Sequence, residues 1–358
     1  MIAHFDIDAF YASVAQLDDP ALRAKPLAVA WNSRRSVVLT ASYEARPFGV
    51  RSAMPLYKAL GLCPGLVVVS PNFDRYRELS RAVFAIFARD SIAVEGLSLD
   101  EAYVSIAAPN LAEAVAYATR VRAAVREEVG LTVSAGVAAQ KMVAKIASDA
   151  AKPDGLAAIE PGTEAEYLAP MPVGRLWGIG PKTQERLAHR NITTIGQLAG
   201  LSDEATFELF GRSGKEVRDL ARGLDARTVS SDRETRSVSA EETFEHDVRD
   251  DATLRRVTAE LSADVARRLE RSGLRGSTIG IKVKRADFTI FGRQTSIAVA
   301  TCDAATIEAA ALHCLERAAI GGEPVRLLGV RVAAITEEAA RELSLFANLV
   351  EELPAQEP

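Results

Sequence analysis

Residues 95–106 read EGLSLDEAYVSI. Most of the stretch is apolar and strand-like, yet two adjacent acids, Asp100 and Glu101, stand at its centre. Strand interiors are depleted in aspartate and glutamate, and an unpaired carboxylate is costly to bury. Neighbours on a regular strand point to opposite faces. Both acids can therefore serve one site only at a turn or strand junction, and Gly96 close by permits a hairpin tip.

A second acidic pair lies near the start, in FDIDAFY, Phe5 to Tyr11. On a strand Asp6 and Asp8 share one face and Ile7 takes the other. Alone, such a pair is as readily a solvated edge or a turn signal. With Asp100–Glu101 it makes three or four carboxylates converging at strand ends, a set that repels itself unless a divalent cation joins it. Mg²⁺, with Mn²⁺ as a substitute, suits hard oxygen ligands and substrate phosphates. Two such ions about 3.5–4 Å apart stabilise the attacking and leaving oxygens in phosphoryl transfer.

The rest of the chain bounds this reading. Its 358 residues are 48% hydrophobic and 25% charged, ordinary for a soluble globular protein of two or three domains. No signal peptide or transmembrane segment is expected, and three scattered cysteines fit a reducing cytoplasm. The four histidines form no zinc spacing with them. A net charge of −5 hides a basic stretch: residues 267–293 carry eight bases against two acids. A basic patch inside an acidic chain is a positional signal for a polyanionic partner.

Strand and helix signals from residue 1 and from about 73 to 159 follow an α+β, ferredoxin-like order. SVVLTAS, carrying Val37, Leu39 and Thr40, reads as one of the strands. In NLAEAVAYATRVRAAVREEVG, Leu111, Val115, Ala118, Val121, Val125 and Val129 fall on one helix face, and Gly130 reads as a C-terminal cap. Residues 161–226 change to short helices with glycine turns, among them WGIGPKT. Gly178 and Gly180 there let backbone approach a phosphate, and Pro181 opens a helix whose free N–H groups favour an anion. A polar stretch reads as a linker, and a second α+β unit follows it. Within that unit Lys282 and Lys284 share a strand face and Arg285 comes next, a set able to track duplex phosphates or equally a solvated outer face.

HFDIDAFYASVA, TASYEARPFGVRSAMP, SLDEAY and KIASDAAKPDG, in this order, together resemble a Y-family translesion DNA polymerase of the DNA polymerase IV type. The likeness runs over almost the whole chain. It implies a multidomain α+β fold: a ferredoxin-like palm (1–10 and 73–159), small fingers (11–72), a helical helix-hairpin-helix thumb (160–226), a linker (227–237), a little finger (238–336) and a tail (337–358). It implies Asp6 and Asp100 bridging two ions, Glu101 completing the catalytic ion's site, and Ile7 offering its carbonyl; Asp8 takes a supporting role. Phe10 and Tyr11 would face the nucleotide, with Tyr11 as the gate: a ring under the sugar leaves no room for a 2′-OH. Taken without the acids, both are ordinary helix-start aromatics. Thr40, Tyr43, Arg46 and Lys152 would hold the triphosphate, and Val37 and Leu39 would roof the nascent base pair.

Further along, Gly178, Gly180 and Lys182 of the thumb and Lys282, Lys284 and Arg285 of the little finger would contact DNA. ELSLF resembles the family's sliding-clamp peptide, with Leu345 and Phe346 as its plug and Glu342 where glutamine is usual. The implied partners are primer–template DNA, dNTP and a sliding clamp, engaged by a cytoplasmic monomer. The rival readings are a polymerase-shaped DNA-binding scaffold without catalysis and a nucleotide cyclase sharing the palm. Intact acids and cations argue against the first; the thumb-like hairpin and basic C-terminal domain argue against the second.

Overall fold

The computed structural model describes residues 1–232 and 234–337. The chain divides into two units, one of Met1–Asn32 with Ser36–Arg233, the other of Ser33–Arg35 with the residues from Glu234 onward.

The first unit is organised by a five-stranded sheet. Its elements, in chain order, are β1 (Ile2–Ile7), α1 (Phe10–Asp18), β2 (Leu27–Val29), β3 (Thr40–Ala41), α2 (Leu56–Leu62), β4 (Val67–Val69), α3 (Phe73–Phe87), β5 (Ser91–Gly96), β6 (Glu101–Ile106), α4 (Leu111–Val129), β7 (Val133–Ala138), α5 (Lys141–Ala150) and β8 (Leu156–Ala158). The order β5-β6-β1-β7-β8 puts β1 between two antiparallel neighbours. Period-two alternation then sorts β1. Ala3, Phe5 and Ile7 pack with Val83 and Phe87 of α3 and with Ala118 and Val121 of α4. Ile2, His4 and Asp6 look to the other face, which α5 covers.

Gly136 on β7 sets how closely α5 approaches. A Cβ there would lie 2.0 Å from the Ala144 carbonyl oxygen and 2.3 Å from Ser148 N. The missing side chain lets helix backbone rest directly on sheet backbone. The N-terminus of α5 is capped from far along the chain: the Asp225 carboxylate accepts from Met142 N at 3.1 Å, and Asp225 N donates to Gln140 Oε1 at 2.6 Å. The helix ends α3 and α4 are capped locally, by Asn72 and Asn110.

A three-stranded sheet, β3-β2-β4, carries the smaller subdomain. SVVLTAS forms strand only at Thr40–Ala41; Val37 makes an isolated bridge to Pro55 and is 43% exposed. Short helices follow: α6 (Glu164–Leu168), α7 (Pro181–Ala188), α8 (Ile195–Ala199), α9 (Asp203–Phe210) and α10 (Gly214–Ala221). They gather around Leu187, Ile195 and Leu198.

The second unit comprises β9 (Ser237–Val248), α11 (Asp251–Arg271), β10 (Leu274–Arg285), β11 (Ile290–Thr301), α12 (Ala304–Arg317) and β12 (Val325–Glu337). The antiparallel order is β11-β10-β12-β9. Ile279, Ile281 and Val283 of β10 are buried with α11 and α12, so Gly280, Lys282 and Lys284 face the other way. The multidomain α+β architecture expected from the sequence is therefore the observed one. Among the described residues no helix is long and apolar enough to cross a membrane.

Candidate active site

The β5–β6 connection places the acid pair. Residues 97–100 are bends, and Glu101 opens β6. Asp100 thus stands in the connection itself, where the Ser98 hydroxyl donates to its carboxylate and its own N–H points at Ser98 Oγ, 3.3 Å away. Gly96 has a different task from the one its position suggests. It closes β5, and a Cβ there would meet the Phe84 ring at 2.9 Å, so it makes room for α3.

Asp6 and Glu101 are register partners on β1 and β6, hence on the same face. Ile7 N donates to the Asp100 carbonyl at 2.8 Å, bringing the connection onto the end of β1. All three acids accordingly lie at one end of two adjacent strands. Burial pushes Asp6 up to about 7 although Lys152 works against it, and the neighbouring Asp100 and Glu101 add to the rise.

Two lysines supply positive charge. Lys152 Nζ donates to Asp6 Oδ2 at 2.7 Å and to Asp149 Oδ1 at 2.9 Å. Lys145 Nζ donates to Glu101 Oε2 and lies 3.5 Å from His4 Nε2. His4 is fully buried, with Nδ1 at 2.7 Å from Ser148 Oγ and Nε2 at 3.4 Å from Glu101 Oε2. Burial would raise Glu101; His4 and Lys145 outweigh it and hold the carboxyl at about 2. Lys145 and His4 open two of the quoted stretches, KIASDAAKPDG and HFDIDAFYASVA, but only the strand register and α5 show that they meet at Glu101. Glu101 and Lys145 also line an open cleft of about 550 Å³ with Glu95, Tyr103, Lys141 and Trp177.

Hard carboxylate oxygens gathered at one strand end suit a divalent cation. Among the described residues no three His, Cys, Asp or Glu side chains are drawn together closely enough to enclose an ion. Asp6 and Glu101 are each engaged by a lysine instead.

Asp8 departs from the cluster. It is 1% exposed and accepts from Ser134 Oγ at 2.8 Å, Tyr43 OH at 3.2 Å and Asp154 N at 2.9 Å. The turn holding Lys152 is braced from α4 as well, by Arg122 and Arg126 on Asp154. The Arg46 guanidinium lies 3.9 Å over the Tyr43 ring, and burial together with Asp8 pushes the Tyr43 hydroxyl up to about 12. Thr40 opens β3 beside them. At the start of α1, Phe10 and Tyr11 part company. Phe10 is 2% exposed and packed inside the core. Tyr11 is half-buried and stacked on Tyr76, centroids 4.2 Å apart.

Residues 5–149 match the impB/mucB/samB family, residues 235–345 that family's C-terminal domain, and residues 161–192 the helix-hairpin-helix motif of the same family. The chain is 41% identical over 351 residues to a DNA polymerase IV of Halorhodospira halophila, covering 97% of this chain and 98% of that one. It is 42% identical to a DNA polymerase IV of Streptomyces coelicolor, covering 100% of this chain and 76% of the relative. This chain belongs to the Y-family polymerases of the DNA polymerase IV type. Its fold resembles a solved Y-family DNA polymerase chimera, with TM-score 0.85 at 24% identity over 94% of this chain and 100% of that one.

The remaining family positions fall as follows. Gly178, at φ +90°, has open space where a side chain would point; Gly180 caps α7, also with open space beside it, and Lys182 is exposed in the first turn. On the open face of the second unit's sheet, Lys282 pairs with Glu241 at 2.8 Å and Lys284 lies 4.5 Å over the Phe288 ring. Arg285 pairs with Glu323 at 2.5 Å. Arg267 and Arg268 are both engaged by Asp264 on their own helix. Leu345 and Phe346 lie outside the described residues.

Proposed function

We propose that Asp6, Asp100 and Glu101 form the ion-holding centre of a DNA-directed DNA polymerase that adds deoxynucleotides to a primer 3′-OH by two-metal nucleotidyl transfer. The observation that carries this reading is the register of Asp6 against Glu101, with Asp100 hydrogen-bonded onto the end of the same strand. The carboxylates, with the Ile7 carbonyl, would hold two Mg²⁺ or Mn²⁺ ions. When bound, the ions supply Lewis-acid charge to the attacking hydroxyl and the triphosphate.

The chain's own groups do the positioning. Arg46, Tyr43 and Thr40, with Lys152 from the turn after α5, take the triphosphate oxygens; an arginine fork suits them. The 3′-hydroxyl gives up its proton to solvent as its oxygen attacks the α-phosphorus; a new P–O ester forms, the bond from the α-phosphorus to the oxygen bridging it to the β-phosphate breaks, and pyrophosphate leaves. Tyr11, kept upright by its stack on Tyr76, closes the space below the sugar C2′. Gly178, Gly180 and Lys182 hold one stretch of duplex backbone, and Lys282, Lys284 and Arg285 another, without reading sequence.

We assign palm, fingers, thumb, linker and little finger to the ranges given above. Translesion synthesis with low fidelity, by a cytoplasmic monomer that meets a sliding clamp through Leu345 and Phe346, completes the reading. Primer extension with Mg²⁺ on undamaged and lesion-bearing templates tests it. Asp100→Ala should abolish extension and leave primer–template binding within about two-fold, since phosphate contacts lie elsewhere. Extension by that variant at the wild-type rate would overturn the mechanism.

A further inference from the structure

Lys145 reaches the ion-holding acids from α5. Its ammonium lies on Glu101 Oε2, the oxygen that also faces His4 Nε2 at 3.4 Å. His4 closes the space behind both groups: it is fully buried, fixed by Ser148 Oγ at 2.7 Å, and packed edge-on against Tyr103 with centroids 4.9 Å apart. Gly136 is the register partner of His4, and its bare Cα brings the backbone of Ala144 and Ser148 down onto the sheet beside the ring. The stem of Lys145 therefore starts at a fixed distance from Glu101. Both side chains keep only 22% of their surface in water, so their attraction is weakly screened.

We propose that Lys145, backed by His4, is the resident counter-ion of Glu101, and that a divalent cation enters this side of the centre only by displacing it. The proposal rests on the reading of Asp6, Asp100 and Glu101 as ion-holding acids. Lys145 is a positioning residue: it touches Glu101, not substrate. It holds the carboxylate aimed while the centre awaits its ions, and it sets how much cation is needed to fill it. Lys152 differs, because its ammonium is shared between Asp6 and Asp149 and the triphosphate claims it in the working complex.

The test is a Mn²⁺ titration of the full-length protein at fixed salt, with free Mn²⁺ counted by electron paramagnetic resonance. Lys145→Met removes the charge and keeps the stem. It should bind Mn²⁺ about five-fold more tightly or better, the scale of a partly screened charge pair. Lys145→Arg, which restores the charge, should return affinity to within about two-fold of wild type. Unchanged or weaker binding by Lys145→Met overturns the inference, as does Lys145→Arg binding as tightly as Lys145→Met. If wild type binds Mn²⁺ and extends primers while Lys145→Met matches it in affinity, only this inference falls. If wild type neither binds Mn²⁺ nor extends primers, the reading of the acids falls and the inference falls with it.

Discussion

The Tyr43 hydroxyl donates to Asp8 Oδ1 at 3.2 Å, tying the segment that carries Arg46 to the residue just beyond β1. The same carboxylate takes Ser134 Oγ and Asp154 N, so one buried acid ties together three pieces of chain that surround the proposed triphosphate site.

That junction can be broken without touching the acids proposed to hold ions. Asp8→Asn replaces one acceptor oxygen by a donor facing donors, and an unsatisfied buried polar group costs about 1–3 kcal/mol. The dNTP KM should rise about ten-fold, equivalent to ~1.4 kcal/mol, with a smaller change in kcat. Tyr43→Phe should reproduce the KM effect with little loss of stability. Steady-state extension and urea unfolding measure the two; an unchanged KM in both variants would show that Tyr43 needs no such anchor.

Tyr11 offers a test of sugar selection. Its ring is stacked on Tyr76 and flanked by Phe73 at 5.9 Å, so it has little freedom to swing aside. A single extra group in a fitted pocket is rejected by roughly 10–200-fold. Tyr11→Ala should lose selectivity on that scale, whereas Tyr11→Phe, which keeps the ring, should retain it. Competition between dNTP and rNTP measures the ratio. Full selectivity in Tyr11→Ala would remove the ring from the role.

Asp225 supplies a pH signature distinct from that of the three acids at the strand ends. Burial would raise its carboxyl, but hydrogen bonds from Arg227 and from the α5 N-terminus at Met142 prevail, and its pKa is lowered. A depressed folded-state value means that the unfolded chain binds the proton more readily. The stabilisation is then fully present above the ordinary aspartate value near ~3.9 and is lost as pH falls below it through the lowered value. Asp225→Asn should cost about 1–3 kcal/mol near neutrality and flatten this part of the acid limb. Unfolding free energies across that pH range decide; parallel curves for the two proteins would refute the account.

The sequence exposes what depends on local spacing. FDID and SLDEA already placed acids where strands end, and the apolar face of α4 shows in the periodicity of Ala118, Val121 and Val125, all buried. Strand pairing partners are harder to read. Lys145 on Glu101, Lys152 on Asp6 and Asp225 on α5 join residues 44, 146 and 83 positions apart. Nothing in the composition of either partner points to the other. Phe10 and Tyr11 carry the same local signal, and only the packing of α1 decides that Phe10 is core while Tyr11 stays half-exposed against Tyr76. Gly96 illustrates the reverse error: a glycine beside a turn suggests the turn needs it, when the Phe84 ring is what claims the space.

The hydrogen atom at Gly136 gives the centre a built-in gauge. Helix α5 seats on bare backbone, so the height of its Lys145 stem, and of the turn after it that carries Lys152, is fixed by contact between main-chain atoms. Main-chain contacts are stiff, whereas side-chain cushions relax when neighbours are swapped. Surrounding core positions are thereby freer to vary in composition while the reach of Lys145 and Lys152 stays constant. A methyl group at that one position would miscalibrate both arms at once without altering a charged residue.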